Sequence, residues 1–250
     1  APPTVTATPD PAVAKTAPPA PVVPEPPKPE PVVWPLTGKR TDTVPKRPSV
    51  AVKIENSPAA RPHTGLHRAD VVWEQVVEGG ISRFVAVYHS DLPRQVGPVR
   101  SVRPMDPGIV APMHGILAYT GGQPPFVQAV RDAGVQSVMM DAGDRGFTRD
   151  PQRSAPHDVI GDPAAFLDQA DGDRTVPPPA QLEYADAAGE GTASTAGTKA
   201  STLDVVLSPA QRTVWDWSGG GADGDGRWQR SDGSTPSVSA DGDRLTATNV

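Results

Sequence analysis

The sequence predicts an α+β protein: an N-terminal mixed β-sheet domain with a central hairpin and a few short helices, followed by a small β-rich C-terminal domain. Three observations carry that prediction. Two runs of β-branched and aromatic residues, 71–77 and 81–89, flank Glu78-Gly79-Gly80. Paired glycines supply the positive φ that a tight hairpin turn needs. Apolar residues concentrate between about 48 and 168, which is enough for a compact domain. Beyond 200, β-prone runs recur between glycine-rich turns, after a stretch at 171–200 with little periodicity. The expected boundaries are a proline-rich stalk at 1–33, an α+β domain at 34–170, a linker at 171–200 and a β-rich domain at 201–250.

Thirteen of the first 35 residues are proline. Proline fixes φ and has no amide donor, so this segment is expected to stay extended, near polyproline II. It reads as a stalk that holds a domain away from a surface, or as a solubilising tail. Trp34 and Leu36 are its first large apolar pair and are expected to dock on the domain. Ser49 to Ile54 alternates like a strand, with Val50, Val52 and Ile54 on one face, and Glu55-Asn56-Ser57-Pro58 breaks it. Over 71–77, valine and tryptophan favour a strand; a helix over 69–78 with Gly79 as its C-cap is the rival reading. In the second hairpin strand Arg83, Val85, Val87 and His89 share one face, and Ser82, Phe84, Ala86 and Tyr88 the other. Glu74 and Glu78 are expected on one face of the first.

A short helix is expected with Asp106 as its cap and Pro107 at its first position, then a buried strand at 116–119. Thr120-Gly121-Gly122 turns into the clearest helix, 124–134, with Phe126, Val127 and Val130 on its apolar face and Gly134 at its C-cap. That strand, turn and helix start could hold an anion, but Pro124 and Pro125 remove two amides, so the turn is read as structural. Residues 138–140 are a short strand and 141–158 a charged loop. Asp162 and Pro163 open another helix. Strands are expected at 203–207, 213–217 and 227–230, with a flexible loop at 219–226 and a turn at Asp232-Gly233. Asp223 and Asp225 lack the glutamate and helices of a calcium loop. An apolar strand starts at Asn249-Val250, so the C-terminal domain is expected to be incomplete.

Composition narrows the function. The chain has 250 residues, 32 Pro, 24 Gly, no Cys and a formal net charge of −6. Without cysteine there is no disulfide, zinc-thiolate site or thiol nucleophile. The acidic balance argues against nucleic acid as a partner. No run of about 18 apolar residues is present, so nothing spans a membrane as a helix. Residue 1 is not Met and no signal peptide is visible, so the chain reads as a processed or trimmed product.

Several ordered motifs carry a resemblance. Val50-Ala51-Val52-Lys53-Ile54-Glu55-Asn56-Ser57-Pro58, Ala60-Arg61-Pro62, Thr64-Gly65-Leu66, Ala69-Asp70-Val71-Val72-Trp73-Glu74, Val77-Glu78-Gly79-Gly80-Ile81-Ser82-Arg83-Phe84 and Gly97-Pro98-Val99-Arg100-Ser101-Val102-Arg103-Pro104 resemble the YerB-like family of bacterial lipoproteins. Phe147-Thr148-Arg149-Asp150 and Arg153-Ser154-Ala155-Pro156-His157-Asp158 fit the same pattern. The resemblance covers 34–170 well and 200–250 more loosely. It implies an extracytoplasmic, usually lipid-anchored protein with an α+β domain and a smaller β-rich one. It implies no catalytic residues, because the family has no agreed activity. No lipid-accepting cysteine is present, so any anchor belongs upstream of residue 1, and the protein is expected to be membrane-anchored or secreted.

The arginines are the leading candidates for chemistry. Guanidinium groups present rigid forks suited to carboxylate or phosphate. Arg83, Arg100, Ser101 and Arg103, with Arg149, Arg153 and His157, are the candidate ligand-binding set, for an anionic or glycan-type envelope ligand or a partner protein. The opposing reading is internal ion pairs to Glu74, Glu78, Asp106 or Asp150. A cell-wall hydrolase is the alternative, using Glu74 and Glu78 as a carboxylate pair or His157. Ser154 and His157-Asp158 are close in sequence, which is not triad geometry, and no Gly-x-Ser-x-Gly elbow exists. His63 and His67 have i,i+4 spacing, but Pro62 and Gly65 oppose the helix a metal pair would need. No metal and no cofactor is expected.

Overall fold

Two β-sheets organise the protein, and the first is mixed because its strands reach it by two kinds of connection. The computed structural model describes residues 31–187, 189–219 and 226–250. Residues 1–30 of the expected stalk and 220–225 of the expected loop lie outside them.

Strands β1 (Val50–Glu55), β2 (Val71–Val76) and β3 (Ser82–Tyr88) are antiparallel neighbours. The β2–β3 hairpin turns where the glycines demanded it: Gly79 and Gly80 have φ of 71° and 72°, a region closed to most residues with a Cβ. After helix α1 (Asp106–Val110) come β4 (Ile116–Tyr119), α2 (Pro124–Asp132) and β5 (Gln136–Met139). β4 lies parallel to β1, and β5 parallel to β4. A parallel pair needs a crossover, and α2 supplies one. The sheet order is β2-β3-β1-β4-β5.

Both faces of this sheet are covered. Val52, Ile54, Phe84, Ala86, Tyr88 and Phe166 share one core. Ala51, Val85, Val87, Val110, Leu117 and Val130 share the other, with Leu36. Phe166 comes from α3 (Pro163–Leu167), whose cap Asp162 accepts from the amides of Ala164 and Ala165. Leu36 is buried as expected, and Trp34 meets the His89 ring edge-on at 5.5 Å. The alternation read in β1 is correct, but the second face is not solvent: all six residues are buried. Lys53 is therefore wholly enclosed, and its Nζ donates to Asp106 Oδ1 at 2.7 Å and to Gln75 Oε1 at 3.2 Å. Asp106 sits inside α1 rather than capping it. Its second oxygen accepts from the Arg103 amide.

The 141–158 segment is less loop-like than its charge suggested. β6 (Phe147–Arg149) pairs with β7 (Val159–Gly161). Three-residue strands are too short to leave a readable period. After the short helix α4 (Thr192–Ala196), the second sheet holds β8 (Thr202–Ser208), β9 (Gln211–Ser218), β10 (Arg227–Asp232), β11 (Thr235–Pro236) and β12 (Thr246–Ala247). All its pairings are antiparallel.

The two sheets meet through polar side chains. Arg230 of β10 reaches Glu74 at 3.0 Å and Asp232 at 2.8 Å, with its guanidinium carbon 5.3 Å from the centre of the Phe84 ring. Arg61 reaches the other oxygen of Asp232 at 2.8 Å. His63 is pinned beside them. Its Nε2 donates to the Glu55 carbonyl at 2.8 Å, and its own carbonyl accepts from the Ala240 amide.

Two outcomes follow from this packing. Lys53→Met strands Asp106 as a lone buried charge, a loss that costs about 3–5 kcal/mol and is read by urea unfolding. His63 has its pKa lowered from 6.5 to about 4, first by burial. The folded ring stays neutral to about pH 4, while the unfolded chain takes up its proton near 6.5. Stability is therefore full above pH 6.5 and falls by roughly 3 kcal/mol as the pH drops to 4. In unfolding titrations, His63→Gln lacks that component.

Candidate functional site

β1 and β4 part company beyond Val52 and Ala118, and the segment Gly97 to Arg103 fills the gap. The Glu55 amide donates to Pro98 O, the Arg100 amide to Lys53 O, and the Thr120 amide to Arg100 O. Val99 bridges Ile54 and joins the first core, so Arg100, one residue on, falls on the opposite face. That face already carries a lateral row. Arg83 stands opposite Glu55 in the β1–β3 register and opposite Gln75 in the β2–β3 register. Arg103 enters the same corner, because its main chain and that of Ser101 follow directly.

Positive charge accumulates there. Arg100 Nε lies 3.1 Å from Glu55 Oε2, an ion pair without hydrogen-bond alignment. Arg103 donates through Nε to Glu78 Oε2 at 2.8 Å, and its Nη2 lies 2.7 Å from the same oxygen as an ion pair. Arg83 is only 6% exposed, yet among the described residues the one hydrogen bond of its guanidinium goes to a neutral group, the Ser101 carbonyl, at 2.9 Å. Its Nε is buried with no hydrogen-bond partner among the described residues. The same carbonyl lies 3.4 Å from Arg103 Nη1, which draws two like charges together. Burial, then Arg103 and Arg100, lower the Arg83 pKa to about 10. Burial also lowers Lys53, against the pull of Asp106. Four cations, Lys53, Arg83, Arg100 and Arg103, face three carboxylates, Asp106, Glu55 and Glu78.

His157 joins the corner from the loop after β6. Its Nδ1 lies 2.9 Å from Glu55 Oε2, while Ser57 Oγ donates to Glu55 Oε1 at 2.7 Å. Glu55 is 2% exposed and serves all three groups. The structure thus gathers Arg83, Arg100, Ser101, Arg103 and His157, with Ser101 acting through its carbonyl. Arg149 and Arg153 have separate employment. Arg149 donates through Nη1 to both oxygens of Asp158, at 2.9 and 2.8 Å. Arg153 clamps the Ala60 and Pro62 carbonyls and lies 3.4 Å from Asp150.

Glu74 and Glu78 are not brought together. β2 ends at Val76, so Glu78 lies in the turn rather than on the strand. Glu74 accepts from Asn56, Ser82 and Arg230 on the other face, and among the described residues the two share no partner. His67 lies 3.7 Å from Asp243 and His63 is bonded elsewhere. The Gly121 amide, expected at a turn that could hold an anion, already donates to Asp141. Asp106 was expected as an ion-pair partner of the arginines and pairs with Lys53 instead, whereas neither Lys53 nor Glu55 carried an expected role in the site. The available signal was two charged residues alternating inside an apolar strand.

Two open depressions of about 400 and 420 Å³ lie along α2 and β5 and share Arg131 and Met139. Neither reaches the arginine corner, which is a surface site. Arg174, which lines the first, also has a buried Nε without a hydrogen-bond partner among the described residues, but its guanidinium bonds the His114 and Gly134 carbonyls and lies 3.8 Å from Asp171. Among the described residues no helix is long and apolar enough to cross a membrane.

Residues 36–176 match a family described as "Protein of unknown function (DUF3048) N-terminal domain". YerB of Bacillus subtilis (strain 168), which its name calls a candidate lipoprotein, is 51% identical over 70 residues. That stretch is 28% of this chain and 21% of the length of the relative. The crystal structure of the YerB protein from Bacillus subtilis superposes with a TM-score of 0.70 at 23% identity, covering 86% of this chain and 72% of that one. At that identity the likeness establishes the fold alone.

Proposed function

We propose a function from the premise that this chain belongs to the family of proteins of unknown function DUF3048: it is a non-catalytic envelope module that binds an oxyanion-bearing ligand on Arg83, Arg100 and Arg103. One observation carries the reading. A guanidinium that is 6% exposed and has no hydrogen-bonded carboxylate sits between two other arginines. Glu78 and Glu55 act on Arg83 only through space; a buried charge without a hydrogen-bonded counter-ion is costly, and an acidic ligand group would supply one. The partly exposed side chains of Arg100 and Arg103, 21% and 14%, give that group access.

The lipoprotein wording in the relative's name supports an extracytoplasmic setting, membrane-anchored or secreted. A lipid anchor upstream of residue 1 is the only membrane attachment the reading needs. The proline-rich stretch at 1–33 suits a spacer. Glycan-type wall material, anionic polymers and an acidic face of an envelope protein all present the required oxygens.

A wall-directed hydrolase is the second reading, favoured by one contact. Glu55 fixes His157 through Nδ1, and among the described residues no group bonds Nε2. That is how a general base is oriented. Ser57 donates to Glu55 rather than to the imidazole, so no activated nucleophile accompanies it, and Glu74 is already engaged by Arg230 and its neighbours.

Calorimetric titration of the full chain with inorganic phosphate, a glycerol-phosphate oligomer and muropeptides tests the proposal. Binding is expected with at least one, and the double variant Arg100→Ala/Arg103→Ala, checked for folding, binds roughly 10–100-fold more weakly, as loss of charge-assisted hydrogen bonds implies. Unchanged affinity in the folded double variant contradicts the site. Release of product from wall fragments that disappears in His157→Ala favours the hydrolase.

A further inference from the structure

Glu78 holds an unusual post. It belongs to the tip of the β2–β3 hairpin, where Val77 and Ile81 close the turn and Gly79 and Gly80 carry positive φ. Its side chain is 61% exposed, the most solvent-accessible of the three acids in the corner. Even so, its Oε2 accepts from Arg103 Nε and lies 2.7 Å from Nη2. Arg103 spends Nη1 inward, on the carbonyls of Val102 and Ser101. The Nε/Nη2 edge is thus the only edge of Arg103 left to an incoming group, and a surface carboxylate already sits on it. Glu55 and Asp106, by contrast, are buried parts of the framework.

We infer that Glu78 is an internal stand-in for the ligand, a latch whose carboxylate occupies the Arg103 edge that the ligand's own oxyanion group takes over. The inference rests on the anion-binding reading above and adds the ligand's chemistry. The group that binds is a carboxylate or phosphate able to place oxygen against Nε and Nη2 of Arg103, and it enters by displacing a tethered competitor. Exposed ion pairs contribute little to stability, so displacement is easy. A tethered acid nevertheless competes at high effective concentration, so it lowers apparent affinity.

The latch also reaches the second sheet. Ser208 of β8 donates its hydroxyl to the Gly80 carbonyl. A Cβ built at Gly80 would come within 3.0 Å of that same oxygen, whereas one at Gly79 meets nothing within 4 Å. The hairpin tip is therefore held on one side by the second sheet and on the other by Arg103. Displacing Glu78 leaves the Ser208 contact as the tether that returns it.

The experiment compares the full-length wild type with Glu78→Ala, using inorganic phosphate and N-acetylglutamate as separate probes in calorimetric or NMR titrations. Removing the latch is expected to tighten binding of at least one probe roughly two- to fivefold, the scale of an exposed ion pair. The gain must vanish when Arg103→Ala is added. A gain with phosphate alone supports the latch and identifies a phosphate-type ligand group; a gain with N-acetylglutamate alone supports it and identifies a carboxylate. Wild-type binding with equal or weaker binding by Glu78→Ala overturns the latch while leaving the anion site standing. Absence of binding by both proteins overturns the anion site, and the latch with it. Glu78 is exposed and in a turn, and a circular dichroism melt of each variant verifies the fold.

Discussion

One buried carboxylate, that of Glu55, ties together more of this protein than any other group. Its amide donates to Pro98 and its carbonyl accepts from His63. Its side chain faces Arg100, His157 and Ser57. Two distant stretches, Pro98 to Arg100 and the loop at His157, and the nearer His63 are thereby fixed to the end of β1. Charged groups with little exposure persist only when paired and hydrogen-bonded, and each of these partners satisfies part of that demand. The arginine corner exists because the inserted segment that Glu55 anchors brings Arg100 and Arg103 beside Arg83. Without that insertion the ends of β1 and β4 would leave backbone groups unpaired.

The two faces of the first sheet show what this arrangement costs. On one, aliphatic and aromatic side chains close a conventional core. On the other, the core gives way at one end to Lys53, Asp106, Arg83, Glu55 and Arg103. Apolar residues in those places would fold at least as well, since buried ion pairs are weak contributors to net stability. The charges are thus poorly explained by folding alone. Clustered, perturbed charges at a partly open surface are what a binding site requires. The second sheet touches the same hairpin from its other side, through Glu74 and Gly80, so the hairpin is the physical link between the second sheet and the site.

Much of this fold is legible in residue order. Gly79 and Gly80 announce the hairpin, valine-rich runs announce β1 to β3, and the apolar positions of α2 give its buried side. Asp162 and Pro163 mark the start of α3. The arginines between Gly97 and Arg103, read as one candidate set with Arg83 and His157, do lie together in one corner. What escapes notice has physical causes. Lys53 and Glu55 look like the wet side of a half-buried strand, and they become interior only because Asp106 of α1 meets Lys53 while Arg100 and His157 close over Glu55. β6 and β7 are too short to show a period. Glu74 reads as a free carboxylate because Arg230, its partner, lies 156 residues further on. Glu78 reads as sharing a strand face with Glu74, but it lies in the turn two residues beyond the end of β2 and meets Arg103 instead.

The central claim is that an oxyanion occupies the corner formed by Arg83, Arg100 and Arg103. Its most direct measurement is anomalous diffraction from crystals of the full chain soaked in selenate, recorded at the selenium edge. The account predicts an anomalous selenium peak within about 4 Å of guanidinium nitrogens of this cluster, the distance that follows when selenate oxygens accept charge-assisted hydrogen bonds from them. Peaks confined to Arg131 and Arg174, beside the depressions along α2 and β5, would contradict it.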